Sequence, residues 1–231
     1  MSGVGWTEPP KSGGAGFAGA GAGFTDYAVP RTTEARNSAD VARVARARRG
    51  PSNAWWGMAM FVASEGTLFG IMTGTYFYLR FKNLHWPPAG IPEPKLVVPL
   101  VLLGVLLAAS VPIQLAVFAG WAGRLTALRT FVLLALTLQA GYFAMSVHDY
   151  RDDLHHFGPQ SHAYGSIYFL LLGADHAHVA LGLLLDVWLL WKLLRGLTAY
   201  RLNALSAIAF YWHAVNAITL VVTLTTLSPA L

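Results

Sequence analysis

The chain has 231 residues, 55% of them hydrophobic and only 12% charged, with a mean hydropathy of +0.48. This balance excludes an ordinary soluble domain and points to a membrane. Sixteen Lys and Arg against eleven Asp and Glu give a net charge of +5, an excess that cationic loops on one side of a membrane account for without nucleic-acid binding. There is no cysteine, which excludes disulfides, thiolate metal sites and sulfur nucleophiles.

Residues 1–50 are Gly- and Ala-rich at first and basic towards the end. They lack the apolar core of a signal peptide and are expected to form a mostly disordered cytoplasmic tail. Within it, residues 39–49 alternate Ala or Val with Arg, a pattern compatible with an interfacial helix; a solvated basic run that fixes topology is the plainer account. Residues 51–231 contain five apolar runs, near 53–79, 96–119, 127–147, 164–194 and 204–227. Each is about 20 residues or longer, the length a spanning helix requires. The prediction is an all-α integral membrane bundle of five transmembrane helices. Arg43, Arg46, Arg48, Arg124, Arg129 and Lys192 fall on one side of such a path, while Arg80, Lys82, Lys95 and Arg151 fall on the other. Counting all sixteen cations, the first side holds the excess, so the N-terminus is expected to be cytoplasmic and the C-terminus external.

The first span carries Glu65 in an otherwise uncharged run. An ionised carboxyl at that depth is costly unless it is paired or protonated, so Glu65 is a candidate functional acid. Gly66, Gly70 and Gly74 recur every four residues and would give a face that another helix can approach closely. The fourth span places Asp175, His178, Gly182 and Asp186 along one stripe, and the fifth places His213, Asn216 and Thr223 along another. Burying these groups separately is expensive, so the first, fourth and fifth spans are expected to share one polar interior. Glu65 is expected there as a protonated acid hydrogen-bonded to His178 or His213.

Two functional readings stand beside that structural one: a proton relay, and metal or haem ligation by the histidines. Ligation is the weaker, because His176 and His178 are two residues apart and point to opposite sides of a helix. The predicted external loop from His148 to His162 holds His148, Asp149, Asp152, Asp153, His155, His156 and His162, enough ligands for an adventitious divalent ion; a plainly solvated loop is the simpler view. Five spans without self-similar halves do not fit a transporter built on repeats.

Several segments resemble one known family. Trp55-Trp56-Gly57-Met58 with Ser64-Glu65, His85-Trp86-Pro87-Pro88-Ala89-Gly90-Ile91, Tyr164-Gly165-Ser166, Gly173 through His178-Val179 to Gly182, and Tyr211-Trp212-His213 occur in the order found in subunit III of haem–copper terminal oxidases. The resemblance implies a five-helix form without the usual first two helices, in which Glu65 corresponds to the family's carbodiimide-reactive glutamate. Where the family carries histidine and glycine this chain has Asp175 and His176, and Asn216 replaces an aspartate. The family's subunit III is non-catalytic. It lies against subunit I, stabilises it and supports proton uptake, within a cytochrome c oxidase that couples oxygen reduction to proton pumping in the bacterial plasma membrane. The resemblance thus implies no cofactor or metal in this chain, a place for bound phospholipid, haem and copper in the partner subunits, and subunits I and II as partners. Accessory subunits of quinol oxidases or nitric oxide reductases are the alternative, and an independent proton carrier is a more distant one.

Overall fold

The structure, a computed structural model, describes residues 52–230, so the expected N-terminal tail lies outside the described residues. It is all-helical: α1 Asn53–Lys82, α2 Val97–Ala108, α3 Ser110–Trp121, α4 Leu125–His156, α5 Ala163–Leu193 and α6 Ala199–Leu227.

Helices α2 and α3 together make one 25-residue span, Val97–Trp121, interrupted at Ala109. The predicted second span is therefore correctly placed but not continuous. Pro112 lies just past the break; it has no N–H to offer the carbonyl four residues earlier and its ring crowds that turn. The predicted loop after the third span also differs, because α4 stays helical through His156. Lys95 Nζ binds Asp152 Oδ2 at 2.9 Å and Tyr168 donates to Asp153 Oδ2 at 2.6 Å, which anchors these extra turns beyond the apolar run. The bond to Asp152 holds the Lys95 pKa above its usual value.

Four helical stretches are long and apolar enough to cross a membrane: Val97–Trp121, Leu125–His156, Ala163–Leu193 and Ala199–Leu227. Helix α1 is not among them, although its 30 residues give it about 45 Å of length. Glu65 with Gly66, Thr67, Gly70, Thr73, Gly74 and Thr75 dilutes its hydropathy. Of the five expected spans, composition and length thus establish four.

Helix α6 is the hub: 56% of its apolar window is buried, against 33% or less for the other three spans. It packs against α1, α2, α3 and α5, while α4 closes the far side on α2, α3 and α5. Leu106, Ile113, Leu128, Val132, Leu189 and Trp212 centre the main core. Helix α1 joins through a separate cluster in which Phe69, Met72 and Tyr76 meet Tyr164, Ile167 and Leu171. Hydroxyls on the helix exteriors are satisfied within their own helix, as where Thr67 and Thr75 donate to the carbonyls of Ala63 and Ile71.

The cations expected to set orientation also finish helices. Arg129 donates to the Leu193 carbonyl through Nε at 3.1 Å and Nη2 at 2.6 Å, and to Leu194 at 3.3 Å. A fixed positive charge thus sits on the last carbonyls of α5, where the helix dipole is negative. Arg201 donates to the Gly196 carbonyl beside it. Gly196 itself, at φ 102°, takes the left-handed conformation that turns the chain out of α5.

Candidate functional site

The candidate residues are set by three neighbouring positions on α5. Successive side chains on a helix are separated by about 100°, so Asp175 points between His176 on one side and His178 about 60° to the other. His178 accordingly faces α1, Asp175 faces α6, and the His176 ring lies against Phe143 and Tyr150 of α4.

Glu65 Oε2 and His178 Nε2 are 3.1 Å apart, which joins α1 to α5. His178 Nδ1 lies 2.7 Å from the Ala174 carbonyl, an acceptor only, so Nδ1 carries a proton. In the neutral imidazole Nε2 is then an acceptor, and a carboxylate facing it would be repelled. One further proton must therefore lie between Nε2 and Oε2, either on the acid or on an imidazolium. Phe69 meets the imidazole edge-on at 5.2 Å, and Tyr211 donates to the His178 carbonyl at 2.7 Å, adding α6 to the contact. The side chains of Glu65 and His178 keep 20% and 15% of their surface exposed, so the pair sits at the rim of the bundle.

The expectation of one shared polar interior is not met; the other groups form separate contacts. Asp175, 2% exposed, accepts from Thr219 Oγ1 at 2.7 Å, with Tyr142 of α4 beside it. Asn216 donates to Ser110 Oγ at 2.6 Å and to the Leu106 carbonyl at 3.3 Å, so its amide fills the break between α2 and α3. His213 is exposed on α6 and lies 3.2 Å from Gln114 Oε1 of α3, not near Glu65. The stripe containing it rotates His213 away from α1 once Asn216 and Thr219 take the inward positions.

Gly66, Gly70 and Gly74, expected to give a face that another helix can approach closely, are not approached by another helix among the described residues. A Cβ built on any of them meets nothing within 4 Å, so their face looks away from the bundle. The close helix approach is instead at Gly182, where a Cβ would come within 2.6 Å of the Trp212 ring. One turn further along α5, fully buried Asp186 accepts at 2.8 Å from the Gln139 amide, oriented so that its nitrogen also reaches the Ala135 carbonyl.

Thr219, Tyr142, Gln139, Ser110 and Gln114 are partners that sequence reasoning missed. Thr219 completes the Asn216–Thr223 stripe, and Gln139, Tyr142 and Ser146 form a polar stripe in an apolar span, so a signal was available. Tyr211 bonds to backbone, which leaves no pattern to read. Among the described residues no group of three or more His, Asp or Glu side chains could hold a metal ion.

Four apolar spans, with polar side chains committed to contacts between helices, define a multi-pass α-helical membrane protein. Comparison with known proteins narrows this. The family described as Cytochrome c oxidase subunit III matches residues 48–227, and the chain belongs to that family. A "Probable cytochrome c oxidase subunit 3" of Nocardia farcinica is 31% identical over 168 residues, covering 69% of this chain and 80% of that protein. The "Cytochrome c oxidase subunit 3" of Bacillus subtilis is 26% identical over 171 residues, 72% of this chain and 81% of that one. The protein of the same name from Thermostichus vulcanus is 24% identical over 167 residues, 71% and 82% respectively.

Proposed function

We propose that this chain is the non-catalytic subunit III of a bacterial respiratory cytochrome c oxidase. The observation that carries the reading is the family match, which covers residues 48–227 and so includes every described helix. In this reading α1 is the fifth span, the N-terminus is cytoplasmic, the C-terminus is external, and the membrane is the plasma membrane. The chain lies against subunit I, with subunit II in the same complex. Haem and copper belong to those partners.

Two features support a lateral docking role. The Gly66–Gly70–Gly74 face of α1 is free of side-chain bulk and looks outward, so another helix or lipid chains can approach closely. Beside it, Glu65 and His178 hold a proton at the bundle rim, where a neighbouring subunit can reach it. The role proposed for the pair is to support proton uptake by the partner, and the open α1 face is the proposed place for bound phospholipid. Deleting the chain from its host tests this: oxidase activity should start near normal and decay faster during turnover, with full recovery on re-expression. Oxidase content and turnover lifetime both unchanged by the deletion would contradict it.

A further inference from the structure

Thr67, Thr75, Thr130 and Thr137, all exposed on outer helix faces, each donate to the carbonyl four residues earlier, so lipid meets no free hydroxyl there. His176 and His178 likewise meet the carbonyl four residues earlier through Nδ1. His213 makes no such bond. It is exposed on α6 and bonds sideways, to Gln114 of α3 at 3.2 Å. His213 is also the midpoint of α6, fourteen residues from either end of Ala199–Leu227. At 1.5 Å per residue that is about 21 Å from each helix end, well inside a hydrocarbon core about 30 Å thick. The imidazole and the amide bonded to it therefore lie at mid-membrane depth, on the outside of the bundle.

The pair is incomplete. With His213 Nε2 donating to Gln114 Oε1, Nδ1 is a bare acceptor and the amide nitrogen keeps two unused N–H donors; neither has another hydrogen bond among the described residues. Turning the amide round exchanges the roles and still leaves one side donating and the other accepting. The Gln114 amide nitrogen is not sealed inside the bundle either. Around the pair, Val111, Leu115 and Phe118 of α3 and Leu220 and Leu224 of α6 expose apolar surface. His213, Ala217, Leu220 and Leu224 recur at intervals of four, three and four, which is one side of α6, and Ala217 next to the imidazole is small and exposed.

Acyl chains can cover the apolar part of this face but can neither donate nor accept at its centre, and the ester and headgroup oxygens of a lipid stay near the membrane surface. Polar groups left bare at that depth are costly, which is why they face protein or a polar interior. A hydroxyl side chain supplies what is missing, because it donates through its O–H and accepts through its lone pairs. Ala217 lets the backbone that carries it come close. We propose that the α3–α6 face, centred on Gln114 and His213, is the docking surface for a transmembrane helix of the haem-bearing partner, which places a hydroxyl side chain between the imidazole and the amide. The proposal rests on the reading of this chain as an oxidase subunit and assigns the protein contact to a face separate from the open glycine face of α1.

The test uses membranes holding the full complex, with the photoreactive residue benzoylphenylalanine in place of Ala217 or, as a control, in place of exposed Leu133 on α4 at the far side of the bundle. Illumination before solubilisation should join position 217 to a chain that carries haem, and position 133 should give no such product. Gln114→Leu combined with His213→Leu keeps the face apolar while removing its hydrogen bonds. Gln114 is half-buried and His213 exposed, so folding is not at stake. The haem-bearing chains should then leave the tagged protein about threefold faster in detergent, the effect of one interhelical hydrogen bond in a membrane. Ala217→Trp, which blocks close approach, should release them independently. A label at position 217 that lands only on lipid or on this chain itself, or release that neither alteration changes, would overturn the proposal; haem that still co-purifies then leaves the oxidase reading intact. A tagged chain that brings down no haem would defeat that reading and the proposal together.

Discussion

A Gly182→Ala variant should be less stable by about 1–3 kcal/mol, the usual range for forcing a methyl group into a filled core. Three ring atoms of Trp212 would lie 2.6, 2.9 and 2.9 Å from the new carbon. Trp212 has no room to retreat, since it is 0% exposed in the main core and packs where α5 meets the hub helix α6. At about 2–4 °C per kcal/mol for a chain of this size, the thermal midpoint in detergent should fall by several degrees. Combining Gly182→Ala with Trp212→Leu separates collision from other causes. The smaller side chain vacates the contested volume, so the double variant should be more stable than the sum of the two single losses. Strict additivity would mean that the glycine is not there for the tryptophan.

The second large effect is expected at Glu65. With His178 Nδ1 committed to the Ala174 carbonyl, the Glu65 side chain has to share a proton with Nε2. Glu65→Gln supplies an amide N–H in the same place and should hold stability within about 1 kcal/mol. Glu65→Ala leaves Nε2 without a partner and should cost about 1–3 kcal/mol, the range for an orphaned polar group shielded from water. The loss should be localised, because α1 is otherwise joined by its own Phe69, Met72 and Tyr76 cluster. Limited proteolysis should therefore cut between α1 and α2 first. A hydrophobic carbodiimide, which attacks a carboxyl carrying its proton, should modify Glu65 if the shared proton rests on the acid and spare it if the proton rests on His178. Equal stability for the Ala and Gln variants would contradict this account of the contact.

How far the sequence was legible follows from which forces leave a periodic trace. Apolar runs located four spans because burial in lipid imposes length and hydropathy on each of them. Helix α1 was placed within a few residues, yet its glycines and threonines keep it below the hydropathy of the others. The turns of α4 beyond residue 147 were read as loop because hydropathy stops there; the helix continues on ion pairs and hydrogen bonds to Lys95 and Tyr168, which only the fold brings near. Pairwise geometry was less legible still. Counting from the ends of the spans places Glu65 and His178 at similar depth, but the facing of α6 was set by Asn216 filling the Ala109 break and Thr219 meeting Asp175. That rotation sends His213 to Gln114 on the outer surface. The glycine repeat of α1 was visible, though its direction was not, since an outward and an inward stripe have the same spacing.

Under the proposed function this bundle is a lateral subunit of a redox enzyme whose metals lie in other chains. Tagging the chain, solubilising the membrane gently and recording a visible spectrum of the eluted complex puts this to the test. Haem absorption should appear together with co-purifying larger membrane chains, and removal of this chain should leave all of the haem with those partners. Elution of the tagged chain alone and colourless, from membranes that retain active oxidase, would contradict it.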